Sequence, residues 1–198
     1  MKILLATHNP AKVKDYQKIL QEHGLIAETL ESLNIKENFE ENQATFEDNA
    51  KAKALFYYQL ANLPTLADDG GFAIDYLNGE PGVKSRRWLD SIRESSDKEI
   101  VNHLVEVIAS IPKNQLTARF TTVLCLVKSP KEVYLAKNSI EGFLTTECRL
   151  DYPQGFPYRA CFIEKIFGKY LMDLSPAEYN QINHRRKNVE EIIKNLKF

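Results

Sequence analysis

The sequence predicts a mixed α/β fold, built on an elongated mixed sheet with flanking helices. A short apolar run, Ile3–Ala6, gives way to a polar turn and then to a helical pattern that begins near Pro10. Helical and extended patterns alternate towards both ends of the chain, and extended patterns dominate its centre. Such alternation is typical of folds in which helices cover a sheet.

The helices are predicted from their start and stop signals. Pro10 suits the first position of the first helix, and Gly24 suits its end. Ser96 and Glu99 have the spacing of a capping box, so a third helix follows Ser96. A second helical pattern starts at Thr45 and is expected to end near Asn62 or Pro64. Further helical patterns start at Ser175 and after His184.

The strands are predicted from apolar runs. Ala118–Val127 is the clearest of them, and Val133–Leu135 and Ile140–Thr145 are weaker candidates. Asp68-Asp69-Gly70-Gly71 lies between two extended apolar pieces, and its composition predicts a turn there.

Size and charge restrict the class of protein. The chain has 198 residues, 26 Lys and Arg against 27 Asp and Glu, and 43% hydrophobic residues, which fits one globular domain or two small lobes. The balanced charge argues against a dedicated nucleic-acid binder. The apolar run Val123–Val127 is far shorter than the roughly 20 residues that span a bilayer, so we expect no transmembrane helix and no membrane partner.

The cellular compartment of the protein is predicted from its amino terminus and its cysteines. The amino-terminal apolar run turns polar at Thr7, so it lacks the core of a signal peptide. The cysteines, Cys125, Cys148 and Cys161, are odd in number and show no Cys-x-x-Cys spacing, which indicates neither a disulfide framework nor a zinc site. Both features favour a reducing cytoplasm.

The first candidate for chemistry is Thr7-x-Asn9-x-x-Lys12, at the transition from a strand to a helix. Free backbone N–H groups and the helix dipole attract anions at such a position, and phosphate is the natural ligand. Thr7 and Asn9 can donate hydrogen bonds to phosphate, and Lys12 supplies charge. The alternative is that Asn9 only caps the helix and Lys12 is a solvated lysine.

Four acids, Glu47, Asp48, Asp68 and Asp69, form the second candidate, with Glu40 and Glu41 close to them in sequence. Carboxylates brought together repel one another unless a divalent cation or a lysine such as Lys53 neutralises them. Magnesium between carboxylates and phosphates is usual in phosphoryl chemistry. The alternatives are a capping role for Asp48, which follows Thr45 at capping-box spacing, and an ordinary turn at Asp68-Asp69.

Two segments near the carboxyl end form the third candidate. Gly155-Phe156-Pro157-Tyr158-Arg159 places aromatic rings and a guanidinium in one loop, which suits stacking on a nucleobase. The alternative is that its aromatics anchor a core. His184-Arg185-Arg186-Lys187 is a basic run near a helix start, and such runs are usually solvated.

Taken together, the ordered motifs resemble the Ham1/inosine triphosphatase family of nucleoside triphosphate pyrophosphatases. The resemblance covers essentially the whole chain. It is carried by Thr7-x-Asn9-x-x-Lys12, Thr45-Phe46-x-Asp48-Asn49-Ala50-x-x-Lys53-Ala54, Leu66-Ala67-Asp68-Asp69-x-Gly71, Gly79-x-Pro81-Gly82-x-x-Ser85, Ala118-Arg119-Phe120, Gly155-Phe156-x-Tyr158, Leu174-Ser175-Pro176-x-Glu178 and His184-Arg185.

The resemblance implies a single domain over residues 1–198, with two lobes around a central cleft, that forms a homodimer. It implies magnesium-dependent hydrolysis of non-standard purine triphosphates such as ITP and XTP to monophosphate and pyrophosphate. The implied catalytic residues are Asp69, Asp68 and Lys53, and the implied metal ligands are Asp48 and Asp69. The implied substrate-binding residues are Thr7, Asn9, Lys12, Phe156, Tyr158, Arg159, His184 and Arg185.

The departures from the family pattern concentrate on the side of the base. Arg159 stands where the family has an acid, Tyr179 where it has a lysine, and Asn183 where it has the serine before His-Arg. On the phosphate side, Asp48 replaces a glutamate and Gly70 a serine. The alternatives are therefore a pyrophosphatase of the same class with another base preference, or a nucleotide-binding protein with weakened catalysis.

Overall fold

The computed structural model describes residues 1–90 and 92–196. In that part of the chain it has seven strands and five α-helices. The strands are β1 (Lys2–Leu5), β2 (Ile26–Thr29), β3 (Thr65–Ile74), β4 (Pro81–Gly82), β5 (Thr117–Ser129), β6 (Glu132–Leu144) and β7 (Phe162–Glu164). The helices are α1 (Pro10–Glu22), α2 (Phe46–Ala61), α3 (Asp97–Ser110), α4 (Pro176–Ile182) and α5 (His184–Asn195).

All seven strands form one sheet in the order β2-β1-β3-β5-β6-β7, with β4 paired to β3. Strand β1 runs parallel to β2 and to β3, whereas β4 on β3 and β7 on β6 are antiparallel. The sheet is therefore mixed, and with its five helices it confirms the predicted mixed α/β class. No helix among the described residues combines the length and apolar character that a membrane span requires.

The chain divides into two compact units. Unit 1 comprises Met1–Asp69, Thr122–Asn138 and the residues from His184 onward, and unit 2 comprises Gly70–Thr121 and Ser139–Asn183. Unit 1 has two apolar clusters, one between α1, α5 and the sheet and one that includes Ala50, Ala54 and Tyr57 of α2. Unit 2 has one cluster, built on α3 and the aromatic residues of the sheet.

The helix boundaries agree with the predicted signals because those signals are local. The Asn9 side chain caps α1, and the Thr45 side chain accepts a hydrogen bond from the Asp48 N–H at the start of α2. Ser96 and Glu99 form the complete capping box before α3. These contacts satisfy N–H groups that would otherwise lack a partner.

The predicted turn at Asp68–Gly71 is wrong. Strand β3 runs without interruption from Thr65 to Ile74, and both aspartates are buried within it. Buried charges are tolerated only when they are paired. Here the cationic groups of Lys12 and Arg185 lie beside the Asp68 carboxylate, and the side chain of Asn49 donates a hydrogen bond to Asp69. These partners allow both carboxylates to be buried within a strand.

The central strands and the cysteines also differ from the prediction. The two short candidates after residue 132 are one strand, β6, in which Asn138 and Ser139 bond to neighbouring elements. Cys148 and Cys161 form a disulfide, with their Cα atoms 4.4 Å apart, and Cys125 is a buried free thiol. The expectation of no disulfide was wrong because an odd count leaves room for one pair.

Candidate active site

The turn from β1 into α1 places Thr7 and Asn9 beside a helix start. The Asn9 side-chain oxygen accepts hydrogen bonds from the N–H groups of Ala11 at 2.9 Å and Lys12 at 3.3 Å. The Asn9 oxygen thus caps α1, which agrees with the alternative interpretation of Asn9 as a capping residue. A cavity of about 640 Å³ lies between this turn, α1 and residues 29–38, and its lining does not include Lys12, Lys53 or Asp68.

Asp68 is the centre of a cluster of cations. Its Oδ1 lies 3.0 Å from the Lys12 ammonium, and its Oδ2 lies 3.8 Å from Nε of Arg185. The side chain is 2% exposed, and burial alone would raise its pKa. The positive charges of Lys12, Lys53 and Arg185 outweigh burial and lower the pKa of Asp68 to about 2. Asp68 is therefore a permanent counter-ion and a weak proton acceptor.

Asp69 has a different environment from its neighbour. The side chain of Asn49, on α2, donates to Asp69 Oδ2 at 2.9 Å, and Asn49 Oδ1 accepts from the N–H of Gln43 at 2.9 Å. This chain of bonds fixes the orientation of the Asp69 carboxylate. Asn49 was not among the predicted site residues. The signal for it was its place in the motif Thr45-Phe46-x-Asp48-Asn49-Ala50-x-x-Lys53-Ala54.

Lys53 interacts electrostatically with Asp68, Asp69 and a third acid, Glu41. Its ammonium forms an ion pair with Glu41, and its side chain is 9% exposed. Burial would lower the pKa of Lys53, but the negative charges of Asp68 and Glu41 outweigh burial and raise it. The sequence places Glu41 close to the four candidate acids but gives it no role. Its contact with Lys53 adds it to the candidate site.

Asp48, a predicted metal ligand, bonds to Thr45, the residue that caps α2. The Thr45 hydroxyl donates to Asp48 Oδ2 at 2.7 Å, and the Asp48 N–H donates back to that hydroxyl. The neighbouring Glu47 pairs with Lys137 at 2.8 Å. The geometry thus favours the capping interpretation of Asp48 over the metal interpretation.

This difference between Asp48 and Glu41 gives a testable prediction. Asp48→Asn keeps an oxygen that can accept from the Thr45 hydroxyl, so it is expected to cost less than about 1 kcal/mol of stability and to leave the divalent-metal requirement unchanged. Glu41→Gln is expected to raise the metal concentration needed for half-maximal activity. Thermal unfolding and metal titrations of both variants provide the measurement. A metal requirement raised by Asp48→Asn alone would return Asp48 to the metal site.

The residues present are compatible with magnesium held jointly by protein and substrate. Among residues 1–90 and 92–196, no group of three or more His, Cys, Asp and Glu side chains is arranged to hold a metal ion. Magnesium does not require such a group, because it usually keeps several waters and binds one or two carboxylates together with substrate phosphates. Asp69 and Glu41 supply suitable oxygen donors.

Arg185 and His184 lie at the start of α5 in unit 1. Arg185 Nη1 lies 3.1 Å from Asp15 Oδ2, and the guanidinium side chain is 12% exposed. His184 is 6% exposed. The structure therefore brings Arg185 together with Lys12, Lys53 and Asp68, and this run is not an ordinary solvated face.

Phe156, Tyr158 and Arg159 belong to unit 2. The guanidinium of Arg159 lies over the Phe156 ring, 4.5 Å from its centroid. Tyr158 stacks on Phe72 with the ring centroids 4.6 Å apart, and its hydroxyl donates to the Ser85 carbonyl at 2.6 Å. Tyr158 is 4% exposed, so the geometry favours an anchoring role for it. Phe156 and Arg159 are only partly buried.

The chain resembles known proteins over almost its whole length. It matches the model of the Ham1 family over residues 3–195. It is 34% identical over 193 residues to a dITP/XTP pyrophosphatase of Bacillus subtilis (strain 168), an alignment that covers 98% of this chain and 96% of that protein. It is 36% identical over 202 residues to a dITP/XTP pyrophosphatase of Elusimicrobium minutum (strain Pei191), with both chains covered completely.

A solved structure gives the same result for the fold. The Ham1 protein of Staphylococcus aureus superimposes with a TM-score of 0.81 at 26% identity, covering 97% of this chain and 96% of that one. The mixed sheet and its helices are therefore shared with that protein.

Proposed function

This chain belongs to the Ham1 family, and from that premise we propose that it hydrolyses non-canonical purine nucleoside triphosphates, of the dITP, ITP and XTP type, to the monophosphate and pyrophosphate. The observation that carries the proposal is the Asp68–Asp69 pair in β3, one acid surrounded by cations and the other oriented by an amide. A binding module would not need two buried acids with such different environments.

The cations are assigned to the phosphates. Lys12 and Lys53 are both held by carboxylates in the structure, and a triphosphate would compete for their ammonium groups through charge-assisted hydrogen bonds. The Thr7 hydroxyl and the Asn9 side-chain amide are assigned as donors to phosphate oxygens, because the Asn9 oxygen already accepts from the Ala11 and Lys12 N–H groups of α1. His184 and Arg185 bind substrate from the start of α5. Asp68 is a positioning residue that keeps Lys12 and Arg185 in place.

Asp69 is assigned as the general base. Water attacks the α-phosphorus, its proton passes to the Asp69 carboxylate, and the bond from the α-phosphorus to the bridging oxygen breaks to release pyrophosphate. Asp68 is less suited to this role because its pKa is about 2. Asn49 keeps Asp69 oriented.

A divalent metal, for which we propose Mg²⁺, would be held by Asp69 and Glu41 together with the substrate. Bound there, it would neutralise phosphate charge and polarise the phosphoryl oxygens. Asp48, the shorter substitute for the family glutamate, stays a predicted ligand that the geometry disfavours.

Phosphorus NMR of the products tests the proposed reaction. With ITP, XTP or dITP and magnesium, we expect inosine, xanthosine or deoxyinosine monophosphate and pyrophosphate as the first products. Orthophosphate as the first product would contradict cleavage between the α- and β-phosphates. Nucleotide binding without turnover for any triphosphate in a panel would favour the weakened binding protein.

The base preference is expected to depend on Arg159. Phe156 stacks on the base and Arg159 donates to base acceptors, so purines that carry O6 and N7 rank ahead of ATP. Arg159→Asp, which restores the acid of the family pattern, is expected to change the ranking of kcat/KM by about tenfold or more. Assays with ITP, XTP, GTP, ATP and pyrimidine triphosphates measure the ranking, and Lys113→Asp, the same change of charge at an exposed residue of unit 2, is the control. An unchanged ranking would place Arg159 away from the base.

Other properties stay predictions. The family resemblance implies one domain with two lobes around a central cleft and a homodimer. The balanced charge predicts no nucleic-acid partner, and the amino-terminal run and the cysteine spacing predict a cytoplasmic location. The residues Arg159, Tyr179 and Asn183 favour, as the second candidate function, a pyrophosphatase of the same class with another base preference.

A further inference from the structure

We infer that Cys148 and Cys161 form a reversible thiol–disulfide site that controls how firmly the loop of residues 149–160 is held. The two cysteines are 13 residues apart and close this loop into a ring. The loop carries Phe156 and Arg159, the residues assigned above to the base. The inference therefore rests on the proposed function and concerns the regulation of its base recognition.

The disulfide lies at the neck of the loop, beside two backbone hydrogen bonds. The Arg149 N–H donates to the Ala160 carbonyl at 2.9 Å, and the Thr145 N–H donates to the Cys161 carbonyl at 2.9 Å. Near the tip of the loop, the Gly155 N–H donates to Asp97 at 2.6 Å. Opening the disulfide leaves only non-covalent contacts to order the loop.

Phe156 is the residue that such loosening would affect most. Tyr158 and Ala160 are anchored in the core of unit 2, whereas Phe156 is only partly buried and contacts the guanidinium of Arg159, which is itself partly buried. Releasing the neck increases the number of conformations available to residues 149–156. Binding a base then requires these residues to be ordered again, which weakens binding.

The two sulfur atoms differ in their access to solvent. Cys161 is 0% exposed, whereas Cys148 is half-buried. A small thiol would therefore attack the sulfur of Cys148 as its thiolate, form a mixed disulfide and release Cys161, which takes up a proton. A second small thiolate then attacks the small-molecule sulfur of this mixed disulfide, so that a low-molecular-weight disulfide leaves and the Cys148 thiolate takes up a proton. In the reverse direction a low-molecular-weight disulfide accepts two electrons, oxidises the pair and leaves as two thiols.

Cys125 provides an internal contrast. It is a buried free thiol in β5, and burial raises its pKa to about 12. A thiol that is neither ionised nor exposed is unreactive. In a cytoplasmic protein, disulfides that do form are usually transient or redox-sensing, which agrees with a regulatory pair.

The experiment compares the full chain after treatment with oxidised or reduced glutathione. Intact mass and peptide mapping after thiol alkylation report the state of Cys148 and Cys161. We expect the KM for ITP to be about five- to tenfold higher in the reduced enzyme, as one or two side chains must be ordered on binding. The kcat should change by less than about twofold, because Asp69 and Lys53 belong to unit 1.

Two variants complete the test. Cys148→Ser with Cys161→Ala is expected to behave as the reduced enzyme under both treatments. Cys125→Ala is expected to respond as the parent chain does. Should Cys161→Ala prevent folding, Cys148→Ser alone gives the same information.

The failures of the two proposals are distinguishable. No hydrolysis of any triphosphate in either redox state would reject the proposed function. Hydrolysis with equal KM values in enzyme shown by mass to be fully oxidised and fully reduced would reject only the regulatory site. A pair that stays reduced in oxidised glutathione would also reject it.

Discussion

Asp69→Asn is expected to lower kcat by about 10²–10⁴-fold while nucleotide affinity changes by less than about threefold. The substitution keeps the shape of the side chain, and an amide oxygen can still accept the bond from Asn49. It removes the negative charge that accepts the proton from water and binds metal. Steady-state kinetics with ITP, together with titration of a non-hydrolysable analogue, separates turnover from binding.

Asp68→Asn is the matched control, one residue away on the same strand. Removing this charge leaves Lys12 and Arg185 without their buried counter-ion, and we expect the free energy of unfolding to fall by about 3 kcal/mol. Asp69→Asn should affect stability less and kcat more. An Asp69→Asn enzyme with normal kcat would show that Asp69 only completes the strand.

The elements that could be predicted from the sequence are those defined by neighbouring residues. Helices α1 and α3 begin where Pro10 and Ser96 predict, because the caps and the groups they satisfy lie within three residues of one another. Short ordered motifs of the family pattern likewise include Lys12 and Lys53, whose charges the structure brings to Asp68.

The features that could not be predicted depend on distant partners. In the sequence, Asp68 has the character of a turn residue. In the structure it lies within β3, because the ammonium group of Lys12, 56 positions earlier, neutralises its charge. Glu41 enters the site only because α2 presents Lys53 towards it. A disulfide between Cys148 and Cys161 depends on a loop returning to its own start, and residue spacing does not show that.

Lys53→Met is expected to weaken binding of a non-hydrolysable ITP analogue by about ten- to a hundredfold and binding of inosine monophosphate much less. Hydrogen bonds between charged groups contribute about 1.5–3 kcal/mol, and the proposed partner of Lys53 is the polyphosphate. Methionine keeps most of the length of the buried side chain, so the loss reports the ammonium group more than packing.

Lys137→Met is the control for this change, because Lys137 is a surface lysine that pairs with Glu47 and is 55% exposed. Exposed ion pairs contribute little, so its affinities should match those of the parent chain. Isothermal titration of each variant with the triphosphate analogue and the monophosphate measures the ratio of the two affinities. Equal weakening of both ligands by Lys53→Met would mean that Lys53 stabilises the acids of the site and does not contact the triphosphate.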